Sequence, residues 1–348
     1  MKDEAFVILT PGFAENEQDS ACLPAHQSFV KTLKQQYPNL HVIVIAFQYP
    51  HFKGEYLFQQ CRVISLAGKG KGKLFRVPLW NKAKKELNKI AKEYRIKGLL
   101  SFWCGECALV GKRFSKKYPV KHKCWILGQD AKKNNKYVKR ILPEPFELIA
   151  LSPWLKSSFQ ENHGIEPAYI VPLGIDPSEF DEQPTTRDID IIGVGSLIPL
   201  KRYEVFISVV AKLQKSSPGI RAVLCGKGPE ESRLKALIVQ QQLEKNIELA
   251  GELPHRDVLK MLQRSKMLLH PSSYEGMGLA CLEALYAGAE VISFVDPCDG
   301  SIDRWHIAEN EDKMRLMAEN ILKDEQPPTI TAPFLMKEVV RKISELFL

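Results

Sequence analysis

Between residues 266 and 294 the chain reads as a short apolar run, a glycine-containing turn, an apolar helix that stops at glycine, and a second short apolar run. The central stretch is Ser272-Ser273-Tyr274-Glu275-Gly276-Met277-Gly278-Leu279-Ala280-Cys281-Leu282-Glu283-Ala284-Leu285-Tyr286-Ala287-Gly288. The flanking runs suit strands buried on both faces, and the middle suits a helix over 278–287. Strand, helix and strand at this spacing make a parallel βαβ unit. The same alternation precedes it: strand 189–194, helix 201–215, strand 220–225, helix 229–241, strand 247–249, helix 255–263 and strand 266–269. Such a series predicts a doubly wound α/β sheet, in which ligands bind outside the carboxyl ends of the strands.

The residues at that edge favour an anion attached to a polyol. Gly276 and Gly278 let the backbone approach a ligand closely. The free amides at the start of the helix, from Met277 through Leu279 to Ala280, favour a diphosphate through their unpaired N–H groups and the helix dipole. Glu275 and Glu283 stand eight positions apart. Beside a diphosphate, each carboxylate must face something neutral and rich in hydroxyls, because an ionised carboxylate only accepts hydrogen bonds. One is expected to hold a hexose and the other a ribose.

This segment resembles the E-x7-E donor site of the retaining glycosyltransferases of GT-B fold, in particular family 4 (glycosyl transferases group 1), which includes many bacterial polysaccharide and glycolipid enzymes. Around it, Gly195-Ser196-Leu197-Ile198-Pro199-Leu200-Lys201 is similar to the family's G-R-L-x-x-x-K. Gly226-Lys227-Gly228-Pro229-Glu230 is similar to its G-x-G-P-E turn, and Leu249-Ala250-Gly251-Glu252-Leu253 to its next strand and loop. The resemblance covers residues 147–295 well and the first 146 only loosely. It implies two Rossmann-like doubly wound domains facing across a cleft: an N-terminal acceptor domain over 1–172 and a C-terminal donor domain over 173–333. A terminal helix over 334–348 is expected to pack back on the first domain. The linker is expected at 172–187, which holds Pro172, Pro177 and Pro184.

By the same resemblance, Glu275 contacts the transferred sugar, Glu283 binds the ribose and Lys201 supplies positive charge to the donor diphosphate as the leaving group departs. Gly195, Ser196, Arg202, Leu253, Gly276, Met277, Gly278 and Leu279 are expected to complete the donor site. The family places an arginine where this chain has Ser196, and Arg202 is the candidate to compensate. In the first domain, Gly12 and Phe13 after strand 5–9, and Asp130 after strand 123–127, are expected to border the acceptor; Asp130 serves equally well as a helix cap. Many relatives present a histidine from the first domain beneath the donor sugar. Residues 100–121 contain none, so His26, His51 and His122 leave that role empty.

The expected activity is therefore that of a retaining hexosyltransferase using a nucleoside-diphosphate sugar and a saccharide or lipid-linked acceptor. A catalytically silent nucleotide-sugar binder and a GT-B nucleotide-sugar epimerase are the alternatives. No cofactor and no metal are expected: fixed amides and Lys201 replace the divalent ion.

Charge divides unevenly. Residues 1–172 hold 28 Lys and Arg against 14 Asp and Glu, so the net +8 conceals a basic first half and an acidic second. A one-sided basic field attracts anionic membrane or an anionic lipid-linked acceptor. Nucleic acid is not expected, since no binding motif accompanies the lysines. The Gly-Lys repeats of 67–76 lack the Ser or Thr of a P-loop and read as a flexible basic loop. Eight scattered cysteines suit reduced, buried thiols, and Cys104-Gly105-Glu106-Cys107 lacks a second pair to complete a zinc site. The acidic opening and the lack of a long apolar run predict a cytoplasmic chain, peripheral at most on the inner face of the membrane.

Overall fold

The computed structural model describes residues 2–70, 76–182, 186–323 and 327–347. Lys71 and Lys73 of the expected basic loop, and Pro184 of the expected linker, lie outside them. The chain divides into two compact units, Met1–Gly174 together with Phe334–Leu348, and Ile175–Pro333.

The first unit runs β1 (Glu4–Gly12), α1 (Pro24–Gln36), β2 (His41–Tyr49), β3 (Gly54–Phe58), β4 (Cys61–Ser65), α2 (Arg76–Glu93), β5 (Arg95–Phe102), α3 (Glu106–Ser115), β6 (His122–Ile126), α4 (Val138–Ile141), β7 (Leu148–Ala150), α5 (Pro153–His163) and β8 (Tyr169–Ile170). Among the described residues its sheet has the order β3-β4-β2-β1-β5-β6-β7-β8. All pairings are parallel except β3 with β4. The β3–β4 hairpin is unexpected, and its turn shows why. Gln59 and Gln60 both take positive φ, 47° and 63°, the geometry for which Asn-Gly is the usual signal. The Gln59 N–H is held by Glu17 Oε1 at 3.0 Å.

Helices cover both faces of the central strands, so Phe6, Val7, Ile8 and Leu9 of β1 are all sealed from water. The strand ends therefore become the accessible edge. The last helix, α11 (Met336–Glu345), belongs to this unit. It buries Val339, Val340 and Ile343, and beyond it Phe347 meets Phe6 edge to face at 5.0 Å. Only glycine fits beneath that pair, since a Cβ on Gly98 would lie 2.7 Å from both rings.

The second unit runs β9 (Ile189–Val194), α6 (Tyr203–Gln214), β10 (Ala222–Cys225), α7 (Glu231–Gln240), β11 (Ile247–Gly251), α8 (His255–Gln263), β12 (Ser265–His270), α9 (Leu279–Tyr286), β13 (Glu290–Ser293), β14 (Trp305–Ile307) and α10 (Glu311–Lys323). Its sheet has the order β11-β10-β9-β12-β13-β14, parallel throughout. The order reverses after β9, so the carboxyl ends of β9 and β12 flank the topological switch point. Phe206, Val209, Val210 and Leu213 of α6 pack with Leu224, Leu269 and Met314 in the core beneath that edge. Among the described residues no helix is long and apolar enough to cross a membrane.

Candidate functional site

Three loops meet at the switch point of the second unit. The loop after β9 is laced to the loop after β10: Gly195 N–H donates to Cys225 O and Leu197 N–H to Lys227 O, both at 3.0 Å, and Glu230 N–H returns to Leu197 O at 3.0 Å. Gly226 N–H then reaches Gly251 O at the end of β11, at 2.7 Å. The three glycine-bearing segments singled out in the sequence are thus one continuous backbone surface. Glycine is obligatory at Gly226, where φ is 145° and a Cβ would sit 1.9 Å from Gly195 O.

A 3₁₀ turn over Pro199–Lys201 follows. Leu200 O accepts the Ser273 N–H at 3.0 Å, which ties this turn to the loop after β12. That tie brings Lys201 to Glu275, and Nζ donates to Oε1 in an ion pair. The same carboxylate oxygen receives His270 Nε2 at 2.9 Å from the last residue of β12. Burial would raise the Glu275 pKa, but the His270 hydrogen bond and the Lys201 ammonium outweigh it and hold the carboxyl well below its ordinary range. Burial, followed by the Lys201 charge, lowers His270, so it stays neutral and donates through Nε2. The Tyr203 hydroxyl is buried nearby and has no hydrogen-bond partner among the described residues. A Cβ on Gly195 would stand 3.0 Å from it.

Gly278 takes φ 73° at the N-cap of α9, and no side chain caps the helix. The first turn of α9 is thus free of the Ser, Thr or Asp that would compete with a bound anion. Met277 turns inward, with its Sδ 3.7 Å from Cys298 Sγ, so only its backbone faces the site. Leu279 and Leu253 are half-buried. Glu283 is 6% exposed on α9, and its Oε1 accepts from His255 Nε2 at 2.7 Å. The other ring nitrogen of His255 lies 3.8 Å from Glu179 Oε2.

Residues 175–298 match the family described as Glycosyl transferases group 1. That stretch of the second unit is similar to the group 1 glycosyltransferases. Two curated relatives are similar to part of the chain. The putative colanic acid biosynthesis glycosyltransferase WcaL of Escherichia coli is 28% identical over 50% of this chain and 46% of that protein. The phosphatidylinositol N-acetylglucosaminyltransferase gpi3 subunit of Schizosaccharomyces pombe is 27% identical over 36% of this chain and 28% of that protein. The chain thus matches less than half the length of either. Solved structures align over nearly all of it. Sucrose-phosphate synthase of Thermosynechococcus elongatus superposes with a TM-score of 0.71 at 17% identity, covering 99% of this chain and 95% of that one. Anabaena HepE, solved with UDP and glucose, superposes with a TM-score of 0.70 at 15% identity, covering 99% of both chains. The shared fold is GT-B.

Within the second unit the structure gathers Gly195, Ser196, Lys201, Glu275, Gly276, Gly278, Leu279 and Glu283 around the ends of β9 and β12 and the start of α9. Arg202 is engaged by a ring. It is the N-cap of α6 with φ 52°, and its guanidinium sits over the Phe294 ring at 5.1 Å. Phe294 follows the last residue of β13, and Ser196, where the arginine is missing, is exposed.

In the first unit the expected acceptor residues divide. Gly12 ends β1 opposite Tyr49, and a Cβ there would make only ordinary contacts, 3.5 Å from Cys22 Sγ and Tyr49 Cβ. Phe13 corrects the expectation: it is fully buried and packs edge to face on Phe58 at 5.0 Å, a core residue with nothing to offer an acceptor. Asp130 is inside a 3₁₀ turn and caps no helix. Its carboxylate is spent on the N–H groups of Cys104 at 2.7 Å, Gly128 at 2.8 Å and Leu127 at 3.1 Å, joining the ends of β5 and β6. Burial outweighs those bonds and raises its pKa to about 6.

Cys104 and Cys107 are buried free thiols, and burial places Cys107 far above the range of a reactive thiolate. Among the described residues no group of three or more His, Cys, Asp or Glu is arranged to hold a metal ion.

Sequence reasoning missed His270, His255 and Glu179. His270 was within reach of it: a histidine ending a buried strand, five positions before the first glutamate, stands at the edge where ligands bind. His255 and Glu179 carry no comparable signal, because only the docking of the segment before β9 onto α8 brings them to Glu283.

Proposed function

We propose that this chain is a retaining, metal-independent glycosyltransferase that moves a hexose from a nucleoside-diphosphate sugar to a saccharide or lipid-linked acceptor in polysaccharide or glycolipid synthesis. One observation carries the reading: Lys201 and Glu275 meet from separate loops beside the uncapped first turn of α9, with Glu283 on that same helix. The diphosphate occupies the start of α9 and draws on Lys201, whose charge stabilises the leaving group as the glycosidic bond breaks. Glu275 addresses the hexose and Glu283 the ribose. Both are binding groups, so the paired-carboxylate chemistry of glycoside hydrolases does not apply. The first unit supplies the acceptor site on this reading. Its excess of positive charge, with Leu142 and Phe146 exposed beside Lys139 and Arg140, suits peripheral contact with an anionic membrane from the cytoplasm.

A second reading, a nucleotide-sugar binder without turnover, draws on Ser196, which stands where the resembling family has an arginine to assist Lys201. A thermal-shift panel of uridine-, guanosine- and adenosine-diphosphate sugars, followed by donor hydrolysis, separates the two. A donor at 100 times its dissociation constant adds about 2.7 kcal/mol of stability. Stabilisation with slow release of free sugar supports the enzyme, stabilisation without turnover in any acceptor mixture supports the binder, and no stabilisation by any donor defeats both.

A further inference from the structure

We infer that His255 is a positioning residue for the donor: from the first turn of α8 it fixes the Glu283 carboxylate before the nucleotide arrives, and Glu179 holds the imidazole in place from its other side. This rests on the donor-site reading above.

Glu283 has to be held by something. A carboxylate this deeply buried costs several kcal/mol unless it is paired. His255 Nε2 at 2.7 Å from Oε1 provides the pairing. The second oxygen, Oε2, has no hydrogen-bond partner among the described residues, yet it is not among the polar atoms sealed from solvent without one. One oxygen is therefore committed to the protein and the other is presented outward, the arrangement required of a group that accepts from a ribose hydroxyl.

The imidazole is itself fixed. Its Nδ1 faces Glu179 at 3.8 Å, from a 3₁₀ turn over Pro177–Glu179. The two residues that follow that turn bind α8 and α9 at several points. Asp181 pairs with Arg256 at 2.6 Å, Gln263 Nε2 donates to Asp181 O at 2.7 Å, and the Phe180 ring lies 4.6 Å from that of Tyr286. With a carboxylate facing each ring nitrogen, the imidazolium is favoured. Burial opposes it, but Glu283 and Glu179 outweigh burial and raise the His255 pKa. In the doubly protonated ring Nε2 always carries a proton toward Glu283, so no tautomer choice has to be made.

The test is calorimetric binding to the intact chain of whichever of UDP, GDP and ADP binds wild type most tightly. Glu283→Gln is expected to weaken binding about tenfold or more, and His255→Ala about tenfold, by loss of a charge-assisted bond. His255→Gln, whose amide donates in place of Nε2, restores affinity to within about threefold. His255→Ala combined with Glu283→Gln is no weaker than Glu283→Gln alone, because the two act through one carboxylate. If His255→Ala fails to fold, His255→Asn, too short to reach Oε1, takes its place with the same expected loss. Wild-type affinity in the folded His255 variants, with affinity lost in Glu283→Gln, overturns the role of His255 and leaves the donor reading intact. Wild-type affinity in Glu283→Gln, or no binding of any of the three nucleotides, overturns the donor reading and this inference with it.

Discussion

His270 donates through Nε2 to Oε1 of Glu275 at 2.9 Å, across the turn that leaves β12. The bond is buried, the histidine side chain being only 3% exposed, and it fixes the face that Glu275 shows to a sugar. His270→Ala leaves a buried carboxylate short of one donor, which costs about 1–3 kcal/mol. The expected outcome is a lower urea midpoint together with slower hydrolysis of the donor sugar, while affinity for the bare nucleoside diphosphate stays near wild type. An equal loss of nucleotide affinity would place Glu275 on the diphosphate or ribose and contradict its assignment to the hexose.

Lys201 carries a heavier consequence. Its ion pair with Glu275 is mostly shielded, with side chains 18% and 17% exposed. Lys201→Ala therefore strands a buried charge as well as removing a cation from the diphosphate. Stability is expected to fall by about 1–3 kcal/mol, below the full cost of a completely buried pair because water still reaches both groups. Transfer is expected to fall by about 10²–10³, the magnitude associated with loss of one electrostatic stabiliser of a leaving group. Combining it with Glu275→Gln removes the stranded charge and should recover part of the stability but none of the activity. Denaturation and donor-hydrolysis measurements on the two variants separate these contributions, and recovery of activity in the double variant would contradict the role given to Lys201.

How much of this was readable depends on how local the cause is. The strands and helices of the second unit, and the placing of Gly195, Lys201, Glu275 and Glu283 at one edge, follow from apolar period and glycine punctuation, which act over a few residues. Helix 255–263 stands where its pattern predicts it. The start of α6 falls two residues later than its pattern suggests, since Lys201 and Arg202 belong to a 3₁₀ turn and an αL cap. Beyond Asp296 the short strand β14 and the helix α10 leave little trace in the sequence. Trp305-His306-Ile307 is too brief to show alternation, and α10 buries only Met314 and Ala318 completely. Phe13 misleads for a different reason. Its position after β1 suggests a ligand-facing loop, but the partner that buries it, Phe58, comes from a hairpin whose Gln59-Gln60 turn carries no sequence signal.

The lacing of the three loops makes a sharp prediction at Gly226. A methyl group there meets Gly195 O at 1.9 Å, and the residue must also keep φ at 145°, which alanine rarely adopts. Backbone, unlike the end of a side chain, cannot move aside cheaply. Gly226→Ala is expected to cost about 3 kcal/mol or more and to abolish donor binding, because Gly195 and Lys201 hang from the displaced loop. Hydrogen exchange should show the amides of Gly195, Leu197 and Glu230 deprotected first. Wild-type protection of those amides would mean that the lacing does not constrain the loop.

The first unit stores an acid sensitivity in two histidines. His26 stacks on Trp103 at 5.1 Å and meets Phe102 edge-on at 4.5 Å, and neither ring nitrogen has a hydrogen-bond partner among the described residues. Burial alone lowers its pKa from 6.5 to about 3. His122 is also lowered to about 3, first by burial and then by the Lys112 and Lys123 charges. Between those values the unfolded chain binds more protons than the folded one, so stability falls as pH drops through that window. Asp130 works the other way. Its folded pKa of about 6 exceeds the ordinary 3.8, so between them the folded state holds the extra proton and the acid loss is partly offset. At about pH 5 each histidine is expected to withdraw about 2 kcal/mol relative to neutral pH. His26→Phe keeps the aromatic stack and removes the titrating group. It should therefore lose the part of the difference between denaturation midpoints at neutral and acid pH that His26 contributes, with little change at neutral pH. A variant with the wild-type difference would mean that the ring is protonated without leaving the fold, and that the space between α1 and β5 is open to water.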